Sequence, residues 1–266
     1  MRTSFVSEYR KIVTTRTWWV LLVCMALYMA FLGAGVAWSV AAAPGAEDSG
    51  LAGGPAAVAA SVYGVAAAFG YVFPVIVGAL SVTTEYRHRT IAPTFLADPD
   101  RFRVLVAKLL AMVPVGVLFG VVGTAATAAA GAGVLAAAGS PTLLDDSATW
   151  LLLGRSVLAL TVWALLGVAL GAALTHQVVA IVVVLVYTQF LEPVLRLGLG
   201  AAGGVGESIA KLLPGAAGEA ITGGSIFSSA GLSGLLPWWG GLLVLATYVV
   251  VLGTVGAVTA LRRDVP

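Results

Sequence analysis

The chain has 266 residues, 60% of them hydrophobic and only 10% charged, with a formal net charge of +2. Soluble domains carry about 25% charged residues, so this composition, with its mean hydropathy of +1.02, excludes that class, and no nucleic-acid partner is expected. Apolar runs of about 20 residues cross a bilayer as helices, and six are present, at 18–41, 57–82, 109–137, 151–173, 178–195 and 238–261. A membrane β-barrel would instead show alternating segments of about 10 residues. The expected fold is an all-α integral membrane protein: six transmembrane helices in a single transmembrane domain over 1–266.

In chain order, residues 4–17 come first. At 100° per residue Phe5, Val6, Tyr9, Ile12 and Val13 share one arc, with Ser7, Glu8, Lys11 and Thr14 opposite. That pattern predicts an N-terminal interfacial helix lying on membrane lipid, its Phe5, Tyr9 and Ile12 toward the acyl chains and Glu8, Arg10 and Lys11 toward water. An ordinary positively charged start to the first span is the alternative. Trp18 and Trp19 follow at the membrane–water boundary, where indole rings settle. The run is about twice a signal-peptide core and 17 residues precede it, so cleavage after SVAAAP is not expected. The single cysteine, Cys24, allows no internal disulfide and is expected to serve as a small packing residue.

The first outer loop, APGAEDSGLAGGP, is acidic and rich in Gly and Pro. Residues 83–108, TTEYRHRTIAPTFLADPDRFRVLVAK, form a dense polar block between two apolar runs. The part from Glu85 to Leu96 predicts a short helix or turn broken at Pro93. Asp98-Pro99-Asp100 reads as a helix start, with Asp98 as cap and Pro99 in the first helical position. The second outer loop, GSPTLLDDSAT, carries adjacent Asp145 and Asp146 without a third ligand, so no metal site is expected. LTHQ at 174–177 is a tight turn in which His176 reads as a solvated residue.

Residues 192–237 are too polar and Gly-broken to span yet too apolar for a free loop. They read either as a loop on the outer surface or as short helices dipping back into the membrane. Glu207 and Lys211 stand at i, i+4, the spacing of a helical ion pair. Gly116/Gly120 and Gly167/Gly171 have the G-x-x-x-G spacing that permits close helix approach. Arg155 lies about one turn inside its span and is expected to snorkel outward. No buried acid or proton relay is expected within the spans, which weighs against an ion-coupled transporter.

Lys and Arg favour the cytoplasmic side of short loops. With both termini inside, the inner segments hold eleven basic and five acidic residues; the outer ones hold three basic and seven acidic. The chain is thus expected to be multi-pass with cytoplasmic N- and C-termini, and the preference for Arg, Ala and Gly suggests a GC-rich bacterial source. No phosphate-cradling G-x-x-x-x-G-K-[ST] occurs, because Lys11, Lys108 and Lys211 precede Ile, Leu and Leu. No H-E-x-x-H, C-x-x-C or G-x-S-x-G occurs either. No catalytic residue, no metal ligand and no enzymatic activity is expected of this chain alone.

Four stretches, in this order and spacing, carry a resemblance: SEYRKIVTTRTWWVLL, TTEYRHRTIAPTFLADPDRFRVLVAKLL, KLLPGAAGEAI and the terminal LRRDV. Together the pattern resembles the membrane-spanning subunits of bacterial type-2 ABC exporters, which move drugs, lipids or polysaccharides. The resemblance implies an elbow helix at 4–17, a coupling loop at 83–108 and re-entrant outer helices within 192–237. It implies a second copy or homologue as partner, and a separate P-loop ATPase that holds ATP and Mg. Coupling contacts would be Glu85, Tyr86, Arg87, His88, Arg89 and Thr90, with Ile91 and Phe95 as packing anchors. Tyr28, Trp38, Phe69, Tyr71, Phe73 and Tyr187 are candidates for lining a substrate path through the bacterial plasma membrane. The cargo would be apolar or amphipathic. A secondary transporter or channel independent of ATP is the alternative.

Overall fold

The computed structural model describes residues 2–42, 54–97, 100–224 and 234–259. Glu47 and Asp48, the Asp98-Pro99 pair and the terminal LRRDV fall outside them. The described residues form helices and connecting turns without a strand. Six helices are long and apolar enough to cross a membrane: Thr17–Ala41, Ala56–Arg87, Arg101–Ala137, Ser147–Leu174, Gln177–Ala201 and Trp238–Val258.

Helix α1 is Arg2–Val13 and α2 is Thr17–Ala41. The second span is two helices, α3 (Gly54–Gly70) and α4 (Val72–Arg87). They meet at Tyr71, just before Pro74, whose missing N–H and ring favour a bend there. After a turn at His88–Thr90 comes α5, Ile91–Ala97. Pro93 sits in its first turn, where the absent N–H costs little. Helix α6 runs Arg101–Ala137 and is capped by Asp100, whose carboxylate accepts from Arg103 N–H at 3.1 Å. The cap is therefore Asp100 and not Asp98. Helix α7, Ser147–Leu174, is capped likewise by Asp146, accepting from Ala148 N–H.

Thr175, at φ 51°, turns the chain into α8, Gln177–Val186, where His176 Nδ1 accepts from Val179 N–H. A π-helical segment, Tyr187–Leu191, joins α8 to α9, Glu192–Ala201. Two short helices follow, α10 (Val205–Ala210) and α11 (Pro214–Thr222), then the last span, α12 (Trp238–Val258). The fifth span thus ends near residue 201, beyond the 195 expected, because Glu192 and Arg196 stay helical.

Helix α7 is the hub, packing against α4, α6, α12 and α3. Close approach depends on glycine. A Cβ on Gly167 would lie 2.2 Å from the Val75 carbonyl oxygen, and one on Gly120 would lie 2.9 Å from that of Val157. Both G-x-x-x-G pairs therefore face helix contacts, one between α7 and α4 and one between α6 and α7. The first, fifth and sixth spans are peripheral, with only 22%, 22% and 28% of their apolar windows buried. Cys24 is exposed on α2 rather than packed. Arg155 lies over the Trp238 ring, 5.4 Å from its centroid.

Candidate functional site

Four charged side chains meet at the end of the bundle that carries α1 and α5. Lys108 Nζ, from the start of α6, donates to Glu8 Oε2 at 2.5 Å, to Glu85 Oε1 at 2.6 Å and to the Ser81 carbonyl at 3.2 Å. Lys11 Nζ donates to Glu8 Oε1 at 2.6 Å, Glu85 Oε1 at 3.0 Å and Thr94 Oγ1 at 3.1 Å. Glu8, Glu85 and Lys108 are 6%, 8% and 3% exposed, so this knot is internal. Two cations and two carboxylates cancel, which is the condition for burying charge at tolerable cost. Burial pulls the Lys11 pKa down, but the Glu8 hydrogen bond and the charges of Glu85 and Glu8 outweigh it and lift the pKa above the ordinary lysine value. Through Glu8, Glu85, Thr94 and Lys108 the knot links α1, α4, α5 and α6.

Helix α1 departs from the expected pattern at Glu8. Glu8 and Ile12 are buried and Phe5 packs on the core, whereas Val6, Tyr9 and Val13 stay exposed beside Arg10. Phe5 and Tyr9 stack with centroids 6.3 Å apart. The amphipathic pattern placed Glu8 and Lys11 in water; Lys108 on α6 holds Glu8 inside instead, while Lys11 stays on the exposed side.

The candidate coupling residues divide in two. Arg87, His88, Arg89 and Thr90 are exposed. Glu85 and Ile91 are buried, so they face the protein interior rather than an outside surface. Phe95 is half-buried beneath the Arg101 guanidinium, 5.0 Å from its ring centroid, and Tyr86 packs on the core. Leu96 and Phe102, not singled out from sequence, are apolar side chains exposed to 84% and 60% at this end. Beside the knot lies a cavity of about 520 Å³, whose lining includes Lys11, Trp18, Leu80, Arg87 and Gln177.

A second constellation was not expected at all. Glu192, Arg196 and Glu219 are 1%, 5% and 7% exposed, and the first two lie within a membrane-length helix. Arg196 donates through Nε and Nη2 to Glu192 Oε1, at 3.1 and 2.8 Å, and through Nη1 to Glu219 Oε2 at 2.9 Å. Glu192 also accepts from Gly215 and Ala216 N–H, at 2.9 and 2.8 Å, and so closes the N-terminus of α11. These ions flank a cavity of about 280 Å³ lined also by Phe69, Tyr71, Trp163 and Gln189. Tyr71 stacks on Trp163 at 4.4 Å and accepts from Gln189 Nε2 at 3.0 Å.

Of the six path candidates, Phe69 and Tyr71 meet at this cavity. Tyr28 and Phe73 pair separately at 5.8 Å, Tyr187 opens the π-helical segment, and Trp38 stands 68% exposed and apart. The i, i+4 spacing of Glu192 and Arg196 was the available signal for the ion triad. From sequence both residues fall in the outer region 192–237, a surface loop or re-entrant helices, and no buried acid is expected within the spans; the triad overturns that last expectation.

Glu207 and Lys211 do form an i, i+4 pair, at 2.8 Å. Tyr248 Oη donates to the Leu212 carbonyl at 3.3 Å. Tyr248 is ten residues past Trp238, so the α10–α11 connection reaches about 15 Å along α12 at ~1.5 Å per residue. No protein-family model matches this chain, and no curated protein matches it in sequence.

Proposed function

We propose that the chain is the permease subunit of an ATP-driven exporter of the type-2 ABC kind, moving an apolar or amphipathic cargo across a bacterial plasma membrane. The observation that carries this reading is the Glu8–Lys11–Glu85–Lys108 knot. It makes α1, α5 and the facing ends of the second and third spans one mechanical unit. A force applied to α5 or to the Arg87–Thr90 turn then reaches two spans directly. In this reading α1 is the interfacial elbow, α5 the coupling helix, and the α10–α11 connection the re-entrant element. The basic end is cytoplasmic. A separate P-loop ATPase with its ATP and Mg seats on Arg87, His88, Arg89 and Leu96, and a second copy or homologue completes the pathway. Glu85 and Ile91 then anchor the docking element from within.

Co-purification with a P-loop ATPase, followed by ATPase and transport assays in proteoliposomes, tests this. The complex is expected to hydrolyse ATP and to move cargo. Replacing Arg87 and Arg89 together with Ala is expected to uncouple it. A chain that transports alone, driven by an ion gradient and indifferent to ATP, would refute the proposal.

That opposite outcome defines a second reading, an ion-coupled transporter, favoured by the buried Glu192–Arg196–Glu219 triad at a helix terminus. Ionisable residues within membrane spans mark ion and substrate pathways in such transporters.

A further inference from the structure

We propose that the cavity beside the ion knot binds the headgroup of an anionic phospholipid, with its phosphate on Arg87 and the first methylenes of an acyl chain on Leu80 and Val77.

Position comes first. The cavity, about 520 Å³, is lined by Thr17 and Trp18 of α2, by Val77, Leu80, Thr84 and Arg87 of α4 and by Gln177 of α8. Thr17, Arg87 and Gln177 are each the terminal residue of a membrane-length helix. Three spans therefore end around the cavity, which sets it at headgroup depth. The four α4 residues recur every three or four positions and so share one helix face. From Val77 to Arg87 the helix rises about 15 Å at ~1.5 Å per residue, half of the ~30 Å hydrocarbon core. One wall thus changes from apolar to cationic over the depth of a single leaflet, as an amphiphile requires.

Charge selects the sign of the head. Glu8 and Glu85 also line the cavity, but Lys11 and Lys108 each bind both of them. Those four charges cancel, and Arg87 is in excess. Among the described residues its guanidinium meets only the neutral Gln177 Oε1, at 3.2 Å. A guanidinium with free N–H groups fits a phosphate through two parallel bonds, and basic pockets between spans seat acidic headgroups. A second cavity, of about 510 Å³, shares Arg87 and Gln177 and has no carboxylate in its described lining. Tyr86, whose buried hydroxyl has no partner among the described residues, lines that one too. A soluble phosphate would use Arg87 but leave the wall of Trp18, Val77 and Leu80 unfilled. That the lipid comes from the inner leaflet rests on the exporter reading; its binding does not.

The test uses the full chain, delipidated in a non-ionic detergent without any ATPase, and counts bound lipid by native mass spectrometry. The probes are dimyristoyl phosphatidylglycerol, dimyristoyl phosphatidylcholine and inorganic phosphate. One phosphatidylglycerol per chain is expected to bind saturably, about tenfold or more tighter than phosphatidylcholine, and excess inorganic phosphate should not displace it. Arg87→Gln, at an exposed side chain, should remove that preference. Leu80→Trp, which fills the cavity and keeps every charge, should weaken binding of both lipids. Arg16→Gln removes an exposed cation that lies outside the lining and should leave binding unchanged. All three variants are checked as monodisperse by size-exclusion chromatography.

Equal affinity for the two lipids would overturn the proposal, as would displacement by inorganic phosphate. So would a preference that survives Arg87→Gln, or one that falls as far in Arg16→Gln, which would trace it to diffuse surface charge. Failure of the exporter reading looks different: lipid binding persists while no ATPase couples to the chain.

Discussion

Lys108 has three ammonium hydrogens and three acceptors within reach, so its burial leaves no donor unmet. Removing the cation would leave two buried carboxylates with only the part-exposed Lys11 between them. Lys108→Met is therefore expected to cost about 3–5 kcal/mol, the scale of a broken buried ion pair. A large fall in the thermal unfolding midpoint in detergent would register it. Lys11 touches the same carboxylates but is 40% exposed at its side chain, and exposed pairs are worth about 1 kcal/mol or less. Lys11→Met should accordingly shift the midpoint little, and a double-mutant cycle between Glu8→Gln and Lys108→Met should be strongly non-additive. The pH dependence follows from the raised Lys11 pKa. Its contribution is fully present below the unfolded lysine value of about 10.4 and is lost only as pH rises through the higher folded value. Protease sensitivity of the α1–α2 junction should stay flat across neutral pH and increase only beyond pH ~10.

At the level of elements, the bundle is held by helices whose backbones nearly touch. On Gly78 a Cβ would sit 2.2 Å from the Ala164 carbonyl oxygen, and the answering contact is Gly167 on Val75. Backbone cannot yield as a flexible side chain does. Gly78→Ala and Gly167→Ala are expected to destabilise by about 1–3 kcal/mol, the range for overpacking. Gly133 of α6 has open space around its Cβ position. Gly133→Ala should be neutral or stabilise by up to ~1 kcal/mol through helix propensity. Thermal unfolding of the three variants side by side separates contact from propensity. Helix α1 illustrates a different dependence. Its 12 residues are marginal as an isolated helix, so its place depends on Glu8 and Ile12 finding buried partners. Glu8→Ala should therefore expose α1 to protease before it affects the spans.

For the whole molecule, the docking proposal predicts separable failures. Arg87→Ala with Arg89→Ala alters exposed side chains and should abolish coupling while leaving the unfolding midpoint unchanged; coupling survives only if the partner seats elsewhere. The fold itself was largely legible. Six apolar runs, two of them carrying glycine pairs, sufficed for six helices, because lipid leaves the backbone only the helix or the closed barrel and continuous runs do not fit a barrel. The interior polar sites were less legible for one physical reason. A charged residue reads as a loop residue until its partner is known, and Lys108 meets Glu8 from 100 residues away. Arg196 likewise meets Glu219 across a chain reversal. Hydropathy weighs each residue alone, whereas the cost of burying a charge depends on the pair. That is why the inward turn of Glu8, the length of the fifth span and the ion triad all departed from the sequence reading together.

The π-helical segment Tyr187–Leu191 carries a geometric consequence of its own. Such a segment amounts to one residue more than an α-helix needs, so it sets the phase of everything after it. Deleting one residue there would restore α-helical winding and rotate Glu192 and Arg196 by about 100°. Their side chains would swing away from α11 toward the outer surface, while α8 kept its seat on α4 and α7. A bulge that migrated along the span would make the same turn reversibly, as a ratchet advances by a single tooth.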